Sequence, residues 1–375
     1  MSGRKTMNEE IKQMNRSSIY RYFLEKDALT KQDLVTDLHL CLPTVTKKVD
    51  ELMADGLIEI SGSKGHTGGR RAATYSLKQD ARIALGIDIT QNHVTIVAVN
   101  LMGTIIASSR NRKRFETTDA YYQYVGAALQ GLIQQAQIST EQILGVGIGL
   151  PVLVDADCRS IIFSKIINPG DSAYEHFAKY IPYNIQLFND ANAAAFTETW
   201  TNSAAKNAFY LMLSNNIGGS MIIGGSVYSG DNQRSGEIGH VTLVPGGKPC
   251  YCGQAGCVDA YLAATNLSDL TDGNLQEFFE RLQAGDEAVL QKWDEYLEHL
   301  VSTVNILRVL LDCDVVLGGY VGEYLEPYLE QLREKMVARN MFSQNAEYLK
   351  VCSYKKESIA AGAALNCIAA FISKI

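Results

Sequence analysis

The sequence predicts an α/β fold class, with a small helical module at the N-terminus and a larger two-lobed region behind it. Three observations carry that reading. Residues 8–55 place apolar side chains at helical spacing and run into a basic, glycine-rich hairpin. From Ile83 onward, β-rich runs alternate with glycine turns and helical stretches. That arrangement occurs twice, once around Asp88 and once around Ser214. At 375 residues the chain is long enough for two or three domains. A composition 46% hydrophobic and 20% charged is that of a globular protein with a sizeable core.

In the N-terminal module, Ile19, Tyr22 and Phe23 predict a helix over residues 8–26. "LTKQDLVTDLHL" predicts a second, with Thr30 as N-cap and Leu34, Val35 and Leu38 on one face. In "CLPTVTKKVDELMADGLIEI", Val45, Val49, Leu52 and Met53 share a face of a third helix that Gly56 ends. "LIEIS" and "ATYSL" then read as strands around "GSKGHTGGRR". Helix, turn, helix and basic hairpin in this order predict a winged helix-turn-helix DNA-binding domain over residues 1–78. Thr44, Thr46, Lys47 and Lys48 fall where a recognition helix meets base edges and phosphates. Lys64, Arg70 and Arg71 are the reaching groups of the wing. Residues 1–77 carry twelve Lys/Arg against ten Asp/Glu, whereas the remainder carries 22 against 31. This asymmetry suits a polyanionic partner for the first segment. The alternative is a three-helix bundle used for protein contacts, with a solvated basic loop.

Residues 78–82 form a short polar joint. Beyond it, "IALGIDITQNHVTIVAVNLMGTIIASS" reads as a strand meander and residues 119–137 as a helix. "ILGVGIGLPVLVD" is a buried strand entering a Gly/Pro loop, and "IQLFNDANAAAFTETW" a strand running into an Ala-rich helix. "AFYLMLSNNIGGSMIIGGSVYSG" repeats the meander; "CDVVLGGYVGEY" and "ESIAAGAALNCIAAFI" close the chain. Duplicated units of this kind predict two lobes around a cleft, residues 83–195 plus 355–375 and residues 196–354. Phe278, Leu282, Trp293, Leu297 and Leu300 mark amphipathic helices that serve either the core or a dimer interface.

Three of the eight cysteines fall inside eight residues. His240, Cys250, Cys252 and Cys257 supply one imidazole and three thiols, the ligand set of a closed tetrahedral zinc site. Gly246, Gly247, Gly253 and Gly256 permit the tight backbone that such close ligands need. A redox pair and ordinary buried thiols are the competing readings. The five scattered cysteines, Cys41, Cys158, Cys313, Cys352 and Cys367, are expected to pack as small hydrophobes.

"GEIGHVTLVPGGKPCYCGQAGCVDAY", with "NDANAAA" and "GIGLP" upstream, resembles the ROK family of repressors, open reading frames and sugar kinases. The resemblance covers residues 83–375; with the winged helix in front, it is to the family's regulators. It implies an actin-like, sugar-kinase (ribonuclease H-like) fold for the two lobes, and a structural zinc beside a sugar site that His240 helps to shape. By the same resemblance Asn189, Asp190, Glu237, His240 and Asp259 match sugar-contacting positions. Alone, Asn189 and Asp190 would read as a helix cap. Asp259 departs from the family's usual Glu by one methylene.

In the family's kinases the aspartate matching Asp190 is the general base, and a D-x-G-G-T-K-like turn cradles the triphosphate. Here that turn is "DITQNH", residues 88–93, without glycine, while "SNNIGGS" and "LGGYVG" keep their glycine pairs. Glutamine and asparagine obstruct the close approach that glycine allows. The expectation is a sugar-responsive transcriptional regulator, a repressor of carbohydrate genes, with a degenerate ATP/Mg²⁺ site and no catalytic residue. Its partners would be operator DNA, a monosaccharide or sugar-phosphate effector, and further copies of itself as a homodimer or homotetramer. A hexose or N-acetylhexosamine kinase that also binds DNA is the alternative, with Asp190 as base. The chain has no stretch approaching the roughly 20 apolar residues of a membrane span, and no signal-peptide run, which predicts a cytoplasmic location.

Overall fold

The computed structural model describes residues 2–64, 71–201, 206–340, 342 and 344–375, with side chains from Gln13 onward. α1 (Ser2–Glu25) starts earlier than its apolar spacing predicts. It is followed by β1 (Leu29–Thr30), α2 (Lys31–Leu38), α3 (Leu42–Ala54), β2 (Ile58–Lys64) and β3 (Ala72–Leu77). Thr30 caps α2 reciprocally: its hydroxyl accepts the Asp33 N–H at 3.1 Å, and the Asp33 carboxylate accepts the Thr30 N–H at 2.8 Å. Gly56 follows α3 at φ +68, a left-handed position that suits glycine. The strands form an antiparallel sheet in the order β1-β3-β2. Three helices and this hairpin make a winged helix.

The first lobe opens with a meander of β4 (Ile83–Ile89), β5 (His93–Asn100) and β6 (Ile105–Arg112), then α4 (Asp119–Gln135). β7 (Ile143–Leu150), β8 (Val152–Val154), β9 (Ile161–Ser164), α5 (Ala173–Tyr180), β10 (Ile185–Asn189) and α6 (Asp190–Thr201) complete this half. The second lobe repeats the meander as β11 (Ala208–Leu213), β12 (Ile217–Ile223) and β13 (Ser226–Tyr228). α7 (Asp259–Leu262), α8 (Thr265–Ser268), α9 (Leu275–Gln283) and α10 (Glu287–Leu311) lead to β14 (Asp314–Gly318). α11 (Gly319–Gly322), α12 (Leu329–Arg339), β15 (Leu349–Val351) and α13 (Ser358–Ile372) end the chain. The two five-stranded sheets run β10-β7-β4-β5-β6 and β13-β12-β11-β14-β15. In each, the meander is antiparallel, a fourth strand joins its first strand in parallel, and a fifth joins the fourth in parallel. The duplication read from the sequence is therefore a duplication of topology.

Each lobe has its own core. Phe278, Leu282, Trp293, Leu297 and Leu300 are all buried in that of the second lobe, so these helices point their apolar faces inward. The winged helix has no separate core. Ile19, Tyr20, Leu34 and Val49 belong to one buried cluster with Ala84 and Val97 of the first lobe and Ala364 and Ile368 of α13. Ser17 and Gln13 of α1 add hydrogen bonds to the Ile372 and Lys374 carbonyls. Of the scattered cysteines, Cys313, Cys352 and Cys367 are buried and Cys158 is half-buried. Cys41 is exposed, contrary to expectation, because it is the N-cap of α3 and its thiol faces Thr44 Oγ1 at 3.1 Å.

Candidate functional site

A cavity of about 380 Å³ lies between the lobes, and Asn189, Asp190, Glu237 and His240 line it. β10 runs parallel to β7 and delivers Asn189 at its end, with Asp190 as the first residue of α6. Asn189 does act as a cap: its Oδ1 accepts the Asn192 N–H at 3.0 Å, while its Nδ2 donates to the Val152 carbonyl at 3.0 Å. The same bonds fix its position in the cavity wall. Opposite, Gly219 of β12 must be glycine, since a Cβ there would lie 2.5 Å from the Phe209 ring and 2.9 Å from the Gly236 carbonyl. That close approach brings the turn carrying Glu237 and His240 against the strand.

Asp259 does not line the cavity. It is only 5% exposed, and its Oδ2 accepts the Ile217 N–H at 2.7 Å. The shorter side chain stays with the backbone it braces and does not reach the ligand space, which corrects its placement among the sugar contacts. Among the cavity's other residues, Lys165, Arg234 and Tyr251 carry polar or charged groups that the sequence did not single out. Tyr251 was within reach of inference, since it stands between two of the clustered cysteines. Lys165 and Arg234 come from irregular segments of different lobes and carry no motif.

The Nδ1 of His240 and the thiols of Cys250, Cys252 and Cys257 all lie within 4.8 Å of one another. Cys252 Sγ and Cys257 Sγ are 3.8 Å apart, and Cys250 Sγ is 3.9 Å from His240 Nδ1. A tetrahedral ion with bonds of about 2.3 Å separates its ligands by roughly 3.8 Å, so the four donors fit one metal ion. Nε2 of His240 points the other way, to the Tyr251 hydroxyl at 3.2 Å.

A second cavity of about 290 Å³ adjoins the first and shares Pro151, Ile166, Asp190, Met212 and Asn216 with it. The turn of residues 90–92 forms part of its wall. That turn is closed by Thr90: its N–H donates to the His93 carbonyl at 3.0 Å, and its hydroxyl accepts the His93 N–H at 3.0 Å. Gln91 and Asn92 therefore sit where glycine would have left open backbone. Gly218 and Gly219, read from the sequence as part of a second turn, are strand residues of β12 and line the first cavity. Gly319 keeps a left-handed φ of +78 at the end of β14.

Burial pushes Asp88 up to about 7, with the nearby Asp190 adding to the rise and Arg110 opposing it. Burial likewise pushes Asp190 up to about 7; its bond from the Ala191 N–H opposes the shift and Glu237 adds to it. Both values lie above the ordinary carboxylate range, so the folded state holds protons that the unfolded chain releases near pH 4. Their contribution to stability is complete below about pH 4 and is lost as pH rises through 7. The urea midpoint of the ligand-free protein is therefore expected to fall between pH 5 and 8, and Asp88→Asn to flatten that fall. An unchanged pH profile in the variant would contradict the assignment.

On the winged helix, Lys47 is exposed and Thr44 and Thr46 are half-buried at the start of α3, while Lys64 and Arg71 are exposed at the hairpin. Arg70 lies outside the described residues. Lys48 is 8% exposed and its ammonium pairs with Glu51 at 2.7 Å. One residue's rotation turns it from the outer face into the module, so it is removed from the DNA-contact set.

Residues 84–369 match the profile of the ROK family. The chain is 24% identical to the putative xylose repressor of Caldicellulosiruptor sp. (strain Rt8B.4), over 97% of this chain and 96% of that protein. Its fold is similar to the crystal structure of a ROK family transcriptional regulator described as a homolog of the E. coli MLC protein. The TM-score is 0.74 at 18% identity, and 97% of both chains is covered. The ROK hexokinase from Thermus thermophilus is 26% identical with a TM-score of 0.60, covering 76% of this chain and 97% of that one.

Proposed function

The chain belongs to the ROK family, and from that membership we propose that it is a sugar-responsive DNA-binding repressor of carbohydrate-metabolism genes. One observation carries the proposal: a winged helix shares its core with a two-lobed body whose cavity is lined by Asn189, Asp190, Glu237 and His240. The repressor relative is similar along nearly the whole chain, whereas the hexokinase covers about three quarters of it.

In this reading residues 1–78 bind operator DNA in the cytoplasm, with Thr44, Thr46 and Lys47 on the recognition helix and Lys64, Arg70 and Arg71 on the wing. Two or four copies assemble so that paired winged helices read two half-sites. Residues 83–195 with 355–375, and residues 196–354, enclose the sugar. Its binding changes the angle between lobes and so the spacing of the readers. His240, Cys250, Cys252 and Cys257 hold a zinc ion. Four protein ligands leave no open position for water, so the ion's role is to hold the loop that shapes the sugar site. Asp190 supplies an acceptor for a sugar hydroxyl. With Gln91 and Asn92 in the first turn, no cradle of free backbone amides receives a triphosphate.

Two measurements on the full chain test this. Operator affinity in the presence of a sugar panel is expected to change at least tenfold for one sugar. Coupled ATP consumption over the same panel is expected to stay at background. Sugar-dependent turnover abolished by Asp190→Asn would replace this reading with a sugar kinase; operator affinity indifferent to every sugar that binds would refute the coupling.

A further inference from the structure

Lys165 and Arg234 both line the first cavity, one from the segment after β9 in the first lobe and the other from the segment after β13 in the second. Among the described residues neither makes a salt bridge or a side-chain hydrogen bond. This is in contrast to cations elsewhere such as Lys179 with Asp119 or Lys335 with Asp294 and Glu298. Both are exposed at the cavity wall. An unpaired cation on an open surface is simply solvated. Two of them facing one ligand space from opposite lobes form a receptor for negative charge once a ligand excludes water.

The rest of the wall points the same way. The third acid expected here, Asp259, is turned to the backbone N–H of Ile217. Tyr251 covers the outward nitrogen of His240 with its hydroxyl. The wall thus has two ionisable acceptors, Asp190 and Glu237, set against two cations and a phenol. A neutral saccharide would satisfy the acceptors through its hydroxyls and bring no negative charge to either cation.

We propose that the effector of this chain is an anionic carbohydrate, bearing a carboxylate or a phosphate ester, whose charged group is clamped between Lys165 and Arg234 across the cleft. The proposal rests on the sugar-responsive reading above and specifies its ligand. Because the two cations belong to different lobes, the charge of the ligand also helps to draw the lobes together.

Calorimetry on the full chain tests it with glucose, glucuronate, glucose 6-phosphate, xylose and inorganic phosphate as probes. At least one charged sugar is expected to bind ten times or more tightly than glucose at low salt, with the margin shrinking as salt rises. Glucuronate and glucose 6-phosphate distinguish carboxylate from phosphate ester, and inorganic phosphate alone is expected to bind far more weakly than either favoured sugar. Arg234→Gln and Lys165→Gln are each expected to remove most of that margin, weakening charged-sugar binding far more than neutral-sugar binding, and Arg234→Lys to restore part of it. Equal binding of charged and neutral sugars, or charged-sugar binding unaffected by both variants, would overturn the proposal. A neutral sugar that alone binds and releases operator would defeat this inference and leave the regulator reading intact. Failure of every carbohydrate to bind would defeat both.

Discussion

Gly362→Ala is expected to destabilise the protein by about 3 kcal/mol or more and to uncouple the cavity from the winged helix. Two effects compete. Alanine is the better helix former, by roughly 1 kcal/mol in a helix interior. Against it, a Cβ at position 362 would lie 1.7 Å from the Ala193 carbonyl oxygen and 2.5 Å from its carbon. The obstacle is backbone of α6, not the end of a flexible side chain, so nothing local can give way. The same contact recurs where α13 meets the first-lobe sheet, since a Cβ on Gly86 would lie 1.8 Å from the Ala360 carbonyl and one on Gly147 2.1 Å from that of Ala363. The clash outweighs the propensity. Gly131→Ala in α4, with nothing within 4 Å of the added methyl, serves as control and is expected to be neutral or mildly stabilising.

The functional part of that prediction follows from what α13 touches. It packs on α6, whose first residue is Asp190, and its far side shares a buried cluster with α1. Were α6 displaced on ligand binding, the movement would reach the winged helix through one close-packed helix. Urea unfolding measures the stability change. Operator titrations with and without ligand measure the coupling, and a Gly362→Ala protein with wild-type stability and wild-type ligand response would refute both halves.

How much of this was legible beforehand depended on whether the signal was local. The N-cap at Thr30, the inward faces of α2 and α3, and the cysteine cluster are set by spacing within a few residues, and they stand where the sequence put them. Lys48 shows the limit of that logic. Near the start of a recognition helix residue type suggests a contact, but a single step of helical rotation turned its side chain inward to Glu51. Asp259 was misplaced for a different reason. A missing methylene is visible in a sequence, while the backbone N–H that captures the shortened carboxylate comes from Ile217, a residue distant along the chain. Lys165 and Arg234 were invisible because only tertiary structure brings two unrelated loops to one cavity. The continuity of the winged-helix core with α13 was likewise hidden, because the polar joint at residues 78–82 reads as a linker and nothing local reveals that helices at opposite ends of the chain pack together.

Cys257→Ser is expected to abolish stoichiometric metal binding and to weaken saccharide binding at least 100-fold, while operator binding without ligand survives. The segment between His240 and α7 contains no regular helix or strand. It is held by backbone bonds between its own turns, among them Leu243 N–H to the Gly256 carbonyl at 2.7 Å and Cys250 N–H to the Gln254 carbonyl at 2.8 Å. Such bonds contribute only about 1 kcal/mol each, whereas a structural zinc ion supplies on the order of 10 kcal/mol in small domains. An ion held by these four ligands would therefore contribute as much to ordering the loop as all of its backbone bonds together. Cys257 is fully buried and does not line the cavity, so its loss cannot remove a ligand contact directly. It can act only by releasing Nδ1 of His240 and, with it, the wall formed by His240, Tyr251 and Cys252. The winged helix lies in a different cluster, which is why DNA binding should persist. Metal analysis, calorimetry and mobility-shift assays on the same preparation separate these effects. Prolonged chelation of the wild type should reproduce the variant. Full saccharide affinity in a metal-free Cys257→Ser protein would mean that the loop folds without its ion, and that the cluster has no hold on the binding site.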